Sequence, residues 1–178
     1  MTNSMPILIY IHGFNSSPQS HKAGLLRQWL AIHRPDIQFI APDLNLVPQQ
    51  AAQLLADLVQ QYPQAGLIGS SLGGFYATWL NQQYGNKAVL INPAVKAYEL
   101  LSTMLGEQRN YHTNHGYILT QSQVDELLAL EVDALHTPER LWLLLQTGDE
   151  TLDYHLALAK YPHSPQLVEQ GGHHAFDS

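Results

Sequence analysis

A chain of 178 residues with 45% hydrophobic and 13% charged side chains suits one globular domain and excludes a disordered polypeptide. Its formal net charge of −7, with no basic run, argues against a nucleic-acid partner. The absence of cysteine removes disulfides and thiolate metal sites and is compatible with a reducing compartment. The stretch Met1 to Pro6 lacks the basic flank and long apolar segment of a signal peptide. The longest wholly apolar run, Leu141 to Leu145, is too short to span a bilayer, so the expectation is a soluble, cytoplasmic protein with no membrane partner.

In chain order, Ile7-Leu8-Ile9-Tyr10-Ile11 reads as a buried strand, and Leu25, Leu26, Trp29 and Leu30 then follow helical spacing. A second strand, Ile37 to Ala41, is ended by Pro42. Ala51, Leu54, Leu55, Leu58, Val59 and Tyr62 form one apolar face of a helix beginning near Pro48, a residue suited to a first helical turn. Gly66 to Gly69 is the third strand, followed by a helix with Leu72, Phe75, Tyr76, Trp79 and Leu80 on one face. Ala88 to Ile91, Leu141 to Gln146 and Gln166 to Glu169 complete the strands. Strands apolar on both faces and joined by helices predict an α/β fold: a mostly parallel six-stranded sheet with helices on both faces. Residues 93–140 break the alternation and are too long for a simple crossover. Helical patterns near Ala97 to Leu105 and Gln121 to Leu130 flank the polar, aromatic stretch Asn110 to Tyr117. The expectation is a single domain over 1–178, with 93–140 a helical insertion or lid before the fifth strand; the alternative is a packing excursion that touches no substrate. No internal repeat or low-complexity tract interrupts it.

The chemistry centres on Gly69-Ser70-Ser71-Leu72-Gly73, a Gly-x-Ser-x-Gly pentapeptide between a strand and a helix. A sharp strand-to-helix turn needs small residues two before and two after its apex, where backbone and helix approach closely, and a serine at the apex is the nucleophile elbow of an α/β-hydrolase. A serine hydroxyl is almost wholly un-ionised at neutral pH, so it needs a histidine to accept its proton and an acid to fix that histidine's tautomer. Loops after the late strands offer both: Thr147-Gly148-Asp149-Glu150 and Gly171-Gly172-His173-His174. Asp149 is the first acid after its strand, with Glu150 and Asp153 as rivals that could serve a helix N-terminus instead. Either His173 or His174 can be the base, since adjacent residues point in opposite directions. The backbone amides of Leu72, at a helix N-terminus, and Phe14, after Gly13, are candidate donors to an oxyanion. His12 and Asn15 read as loop-fixing residues, and Ser70 carries no catalytic assignment. Among ten histidines, His112 and His115 lie three apart, but no helical His-Glu-x-x-His pattern occurs, and neither metal nor other cofactor is expected.

Five blocks together, His12 to Pro18, Gly69 to Leu80, Ile91 to Val95, Gln146 to Glu150 and Gly171 to Phe176, resemble the YqiA-type bacterial esterases, small cytoplasmic α/β-hydrolases. The resemblance covers nearly the whole chain in order. It implies Ser71 as nucleophile, Asp149 as acid and His174 as base, and an activity on small-molecule acyl esters and acyl thioesters, acyl-CoA included. Family members typically read Gly-Gly-Asn-His here, which places His173 at a non-catalytic position. The family also implies a final helix beyond this loop, whereas the chain ends at Asp177-Ser178, four residues after His174. The expectation is therefore either a shortened chain or an apolar sheet face with other cover, a second identical subunit being one candidate. Two further readings stay open: a non-catalytic hydrolase-fold binding or interaction module, and an amidase or peptidase on the same three residues.

Overall fold

The computed structural model describes residues 5–45 and 47–176. Met1 to Ser4, part of the stretch read above against a signal peptide, lie outside the described residues, as do Asp177 and Ser178 at the terminus considered for a missing helix.

The elements run β1 (Ile7–Ile11), α1 (His21–His33), β2 (Gln38–Ile40), α2 (Pro48–Gln61), β3 (Gly66–Ser70), α3 (Leu72–Tyr84), β4 (Ala88–Ile91), α4 (Ala97–Ser102), β5 (Gly106–Arg109), β6 (Gly116–Leu119), α5 (Gln121–Leu128), a 3₁₀ turn (Pro138–Arg140), β7 (Leu141–Gln146), α6 (Tyr154–Lys160) and β8 (Gln166–Glu169). Six strands form one sheet in the order β2-β1-β3-β4-β7-β8, and every neighbouring pair is parallel. The register sets Ser70 beside Ile91, Ile91 beside Leu144, and Gln146 beside Glu169. The carboxyl ends of β3, β4, β7 and β8 therefore share one edge, where open parallel sheets place their sites.

Alternation within each strand decides which face it buries. Ile9, Ile11, Leu67, Leu90, Leu143 and Leu145 are fully buried in the main core, with Leu55 and Val59 of α2 and Phe75, Ala77 and Leu80 of α3. Tyr161, capping α6, joins this core and shares a 2.8 Å hydrogen bond with Thr78 of α3. On the opposite face α1 covers the β1–β2 side: Arg27 lies over the Phe39 ring, 5.2 Å from its centroid, and the Tyr10 ring stands 6.3 Å from the same ring. Cover on this face is unequal. Trp142 of β7 is 54% exposed and Leu167 of β8 50%, and of the apolar stripe on α1 Leu30 is buried while Leu25 and Trp29 stay exposed.

The insertion differs from the helical excursion expected. Its two helices form, but the first ends at Ser102, and the segment between them is an antiparallel hairpin, β5 with β6. Strand β5, Gly106-Glu107-Gln108-Arg109, has no apolar side chain, so it carried no hydrophobic period. Turn chemistry sets it instead. Asn110 Oδ1 accepts the amides of His112 and Thr113 at 2.9 Å each, and Asn114 takes a left-handed backbone with φ 59°.

Helix α3 lies directly on β1. A Cβ built on Gly73 would stand 1.9 Å from the Ile11 carbonyl oxygen, a backbone atom that cannot swing away. Gly24, within α1, has open space around it. Gly73→Ala is expected to destabilise by ~1–3 kcal/mol or to prevent folding, and Gly24→Ala to stabilise by ~0.5–1 kcal/mol. Urea denaturation midpoints of the two variants read the contrast, and equal midpoints would count against the packing of α3 on β1.

Candidate active site

Ser71 stands at the apex between β3 and α3 with φ 55° and ψ −118°, a conformation that L-residues rarely adopt. The surroundings hold it there. Its amide donates to the Ile91 carbonyl at 3.1 Å, and its own carbonyl accepts the amides of Gly74 at 2.9 Å and Ala94 at 3.0 Å. A side chain at Gly69 would put its Cβ 2.3 Å from the Gly73 carbonyl oxygen, so the pentapeptide's outer glycines are sterically required. Ser70, just before the apex, is buried.

Two loops from the same sheet edge reach Ser71. His174 Nε2 lies 3.0 Å from Ser71 Oγ, and His174 Nδ1 lies 2.8 Å from Asp149 Oδ2. A carboxylate can only accept, so Nδ1 carries hydrogen and Nε2 is left to accept the serine proton. The other Asp149 oxygen accepts the amides of Thr151 and Leu152, both at 2.8 Å, which fixes the plane of the carboxylate. The Asp149 side chain is only 2% exposed. Burial pushes its carboxyl up, but hydrogen bonds from His174 and from the amides of Leu152 and Thr151 outweigh it and hold the carboxyl below its usual value.

The rival residues stand elsewhere. Glu150 Oε2 accepts the backbone amide of His174 at 3.0 Å, and Asp153 caps α6 by accepting the His155 amide at 2.9 Å. The His173 amide donates to Gln146 Oε1 at 3.1 Å. Lys22, at the start of α1, donates to the Ala175 carbonyl and ties down the same loop.

Asn92 and Gln146 hold the histidine loop, and neither had been given a role from the sequence. Buried Asn92 has φ 39°; its Nδ2 donates to the carbonyls of His173 at 3.3 Å and His174 at 3.4 Å, and its Oδ1 accepts the Gln146 amide at 3.0 Å. Gln146 Nε2 donates to Glu169 at 3.0 Å. The available signal was a polar side chain ending each of two otherwise apolar strands: Asn92 before Pro93, and Gln146 after Leu141 to Leu145.

On the other side of Ser71 runs the loop after β1. A Cβ at Gly13 would lie 3.3 Å from Ser71 Cβ, which shows how closely the loop passes. His12 is buried and joins two loops: its Nδ1 donates to the Gly13 carbonyl at 2.9 Å, and its Nε2 accepts the Leu44 amide at 3.0 Å. Burial pushes the His12 imidazole down, favouring its neutral form. Phe14 and Leu72 open onto a cavity of about 360 Å³ whose far wall is the insertion, through Leu101, Tyr117, Leu119 and Leu127. Among the described residues no three His, Asp or Glu side chains cluster as metal ligands would, and no helix is long and apolar enough to cross a membrane.

A family model described as "Uncharacterised protein family (UPF0227)" matches residues 7–178. UPF0227 proteins of Yersinia pseudotuberculosis serotype O:1b and Yersinia pestis bv. Antiqua are 30% identical over 112 residues, a match spanning 59% of this chain and 60% of those relatives' own length. Among solved structures, a putative hydrolase from Agrobacterium vitis S4 superposes with a TM-score of 0.74 at 19% identity, covering 96% of this chain and 81% of that one. Est1E from Butyrivibrio proteoclasticus gives 0.72 at 14% identity, covering 98% and 82%. Mouse alpha/beta hydrolase domain-containing protein 10 gives 0.71 at 17%, covering 100% and 85%. The fold is that of the α/β-hydrolases.

The unfolded chain takes up the His12 proton near pH 6.5 while the folded chain resists it, so the stabilisation is complete above pH 6.5 and declines as pH falls below that toward the folded-state value. Wild type is therefore expected to lose more stability than His12→Gln on going from pH 7 to pH 5, as read by urea denaturation at each pH. Parallel losses would contradict the buried, neutral imidazole.

Proposed function

The chain belongs to the UPF0227 family, and on that premise we propose that it is a serine hydrolase of carboxylic acyl esters and thioesters. The observation that carries this reading is the unbroken row of hydrogen bonds from Ser71 Oγ through His174 to Asp149, at 3.0 Å and 2.8 Å. The fold adds support by analogy: Est1E and the lipolytic enzymes LipS and LipT are among its structural neighbours.

In this mechanism His174 Nε2 takes the Ser71 proton as Oγ attacks the acyl carbonyl carbon. The carbonyl oxygen becomes an oxyanion, stabilised by the backbone N–H groups of Phe14 and Leu72; the latter begins α3, where the helix dipole also favours negative charge. The tetrahedral intermediate expels the alcohol or thiol, which receives the proton from imidazolium. Water then gives a proton to His174 and attacks the acyl-enzyme, and a second tetrahedral intermediate releases the acid and restores Ser71. Asp149 keeps Nδ1 protonated throughout and stabilises the imidazolium, which its depressed carboxyl value suits it to do. The substrate's acyl group occupies the cavity beneath the insertion, which then acts as a lid. Acyl-CoA falls within the thioester class, and a cytoplasmic setting fits the cysteine-free sequence.

A fluorophosphonate probe is expected to label wild type and not Ser71→Ala. Ser71→Ala is expected to lower kcat by ~10⁶-fold and Asp149→Asn by ~10⁴-fold on p-nitrophenyl esters. A folded wild type that neither takes the probe nor turns over any ester or CoA thioester would mean that the fold serves binding rather than catalysis.

A further inference from the structure

The loop carrying Phe14 is gripped by the insertion. Asn15 is buried, with φ 54°, a left-handed backbone that asparagine adopts more readily than most residues and that hydrogen bonds from outside the loop can support. The support comes from the β5–β6 hairpin and its turn. The Asn15 carbonyl accepts the Tyr111 amide at 3.0 Å, Asn15 Oδ1 accepts the Tyr117 hydroxyl at 2.7 Å, and Asn15 Nδ2 donates to Gln108 Oε1 at 3.4 Å. One residue on, the Ser16 carbonyl accepts Asn110 Nδ2 at 2.9 Å. The Tyr117 ring also meets the Phe14 ring edge-on, with centroids 6.5 Å apart and planes at 76°. Burial pushes the Tyr117 hydroxyl up to about 12, so it keeps its proton and can donate across the working pH range.

We propose that Tyr117 is a positioning residue: its hydrogen bond to Asn15 and its ring contact with Phe14 hold the Phe14 amide at the place where the oxyanion forms. This rests on the serine-hydrolase reading of Ser71. The insertion is then part of the reaction machinery as well as a cavity wall, because it sets the geometry of a donor that every substrate meets at its carbonyl oxygen. The amide of Leu72, held by the elbow itself, needs no such help. A displaced Phe14 N–H weakens the transition state and leaves ground-state binding of the acyl group nearly untouched.

The test is steady-state kinetics of wild type and Tyr117→Phe on p-nitrophenyl acetate, butyrate and octanoate, with the Tm of both proteins. Removing the hydroxyl is expected to lower kcat by roughly 10- to 100-fold on all three esters with little change in KM. Affinity for an arylboronic acid, which forms a tetrahedral adduct on serine, is expected to fall by a similar factor. If Tyr117 only shapes the wall, acetate turnover stays at the wild-type level and only KM for octanoate moves; that result overturns the proposal. A Tm close to wild type keeps misfolding out of the comparison, and the boronate measurement below the lower of the two Tm values serves where it is not. A wild type inert to all three esters fails at Ser71, and the positioning role falls with it. An active wild type matched on acetate by Tyr117→Phe removes the positioning role alone.

Discussion

The contact on which this molecule depends is the one between the backbone of α3 and the strands beneath it. Gly73 sits so close to the Ile11 carbonyl, and Gly69 so close to the Gly73 carbonyl, that neither tolerates a single added carbon. That approach forces the turn between them into a region where Ser71 is strained, and strain at one residue persists only where the surroundings over-determine it. Here they do. Ser71 has its amide tied to the end of β4 and its carbonyl tied to two amides, one from α3 and one from the loop after β4. The serine's presentation is thus a product of sheet and helix packing, with no flexible loop involved.

The same edge solves the harder problem of bringing a base and an acid to that serine. Parallel register brings the ends of β3, β4, β7 and β8 level, and two polar residues at strand ends convert that alignment into loop geometry. Asn92 reaches across from β4 to the carbonyls of His173 and His174, and its other side-chain atom takes the Gln146 amide at the end of β7. Each is buried, so each hydrogen bond is made at low cost in competition with water and would be costly to leave unmade. Asp149 follows the same rule, with one oxygen committed to the backbone and the other to His174.

Much of this was legible in the sequence. Five of the six sheet strands announced themselves as short, mainly apolar runs, as expected of parallel strands covered by helices, and the edge strand β8 as the shorter pair Leu167-Val168 between polar residues. The glycine spacing around Ser71 marked the elbow, since only small residues survive such contact. The β5–β6 hairpin was not legible. Its first strand is polar, its pairing rests on Asn110 and Asn114, and its inner contacts are hydrogen bonds to a loop nearly a hundred residues earlier, which no local period reports. The grip on Asn15 was missed for the same reason: it exists only once Gln108, Tyr111 and Tyr117 have been folded back over the site. Asn92 was seen as part of a motif, but its work became visible only when β7 lay beside β4.

The separation of Ser71 from His174, 103 positions along the chain, has an entropic corollary. Closing a loop of that length costs about 4 kcal/mol by the logarithmic law for flexible chains. The two hydrogen bonds joining Ser71, His174 and Asp149, one of them to a charged carboxylate, return roughly 2–4 kcal/mol between them. They offset the closure at best and leave nothing to order the residues in between. The row of side chains therefore cannot draw itself together; its geometry at Ser71 depends on the pairing of β8 with β7.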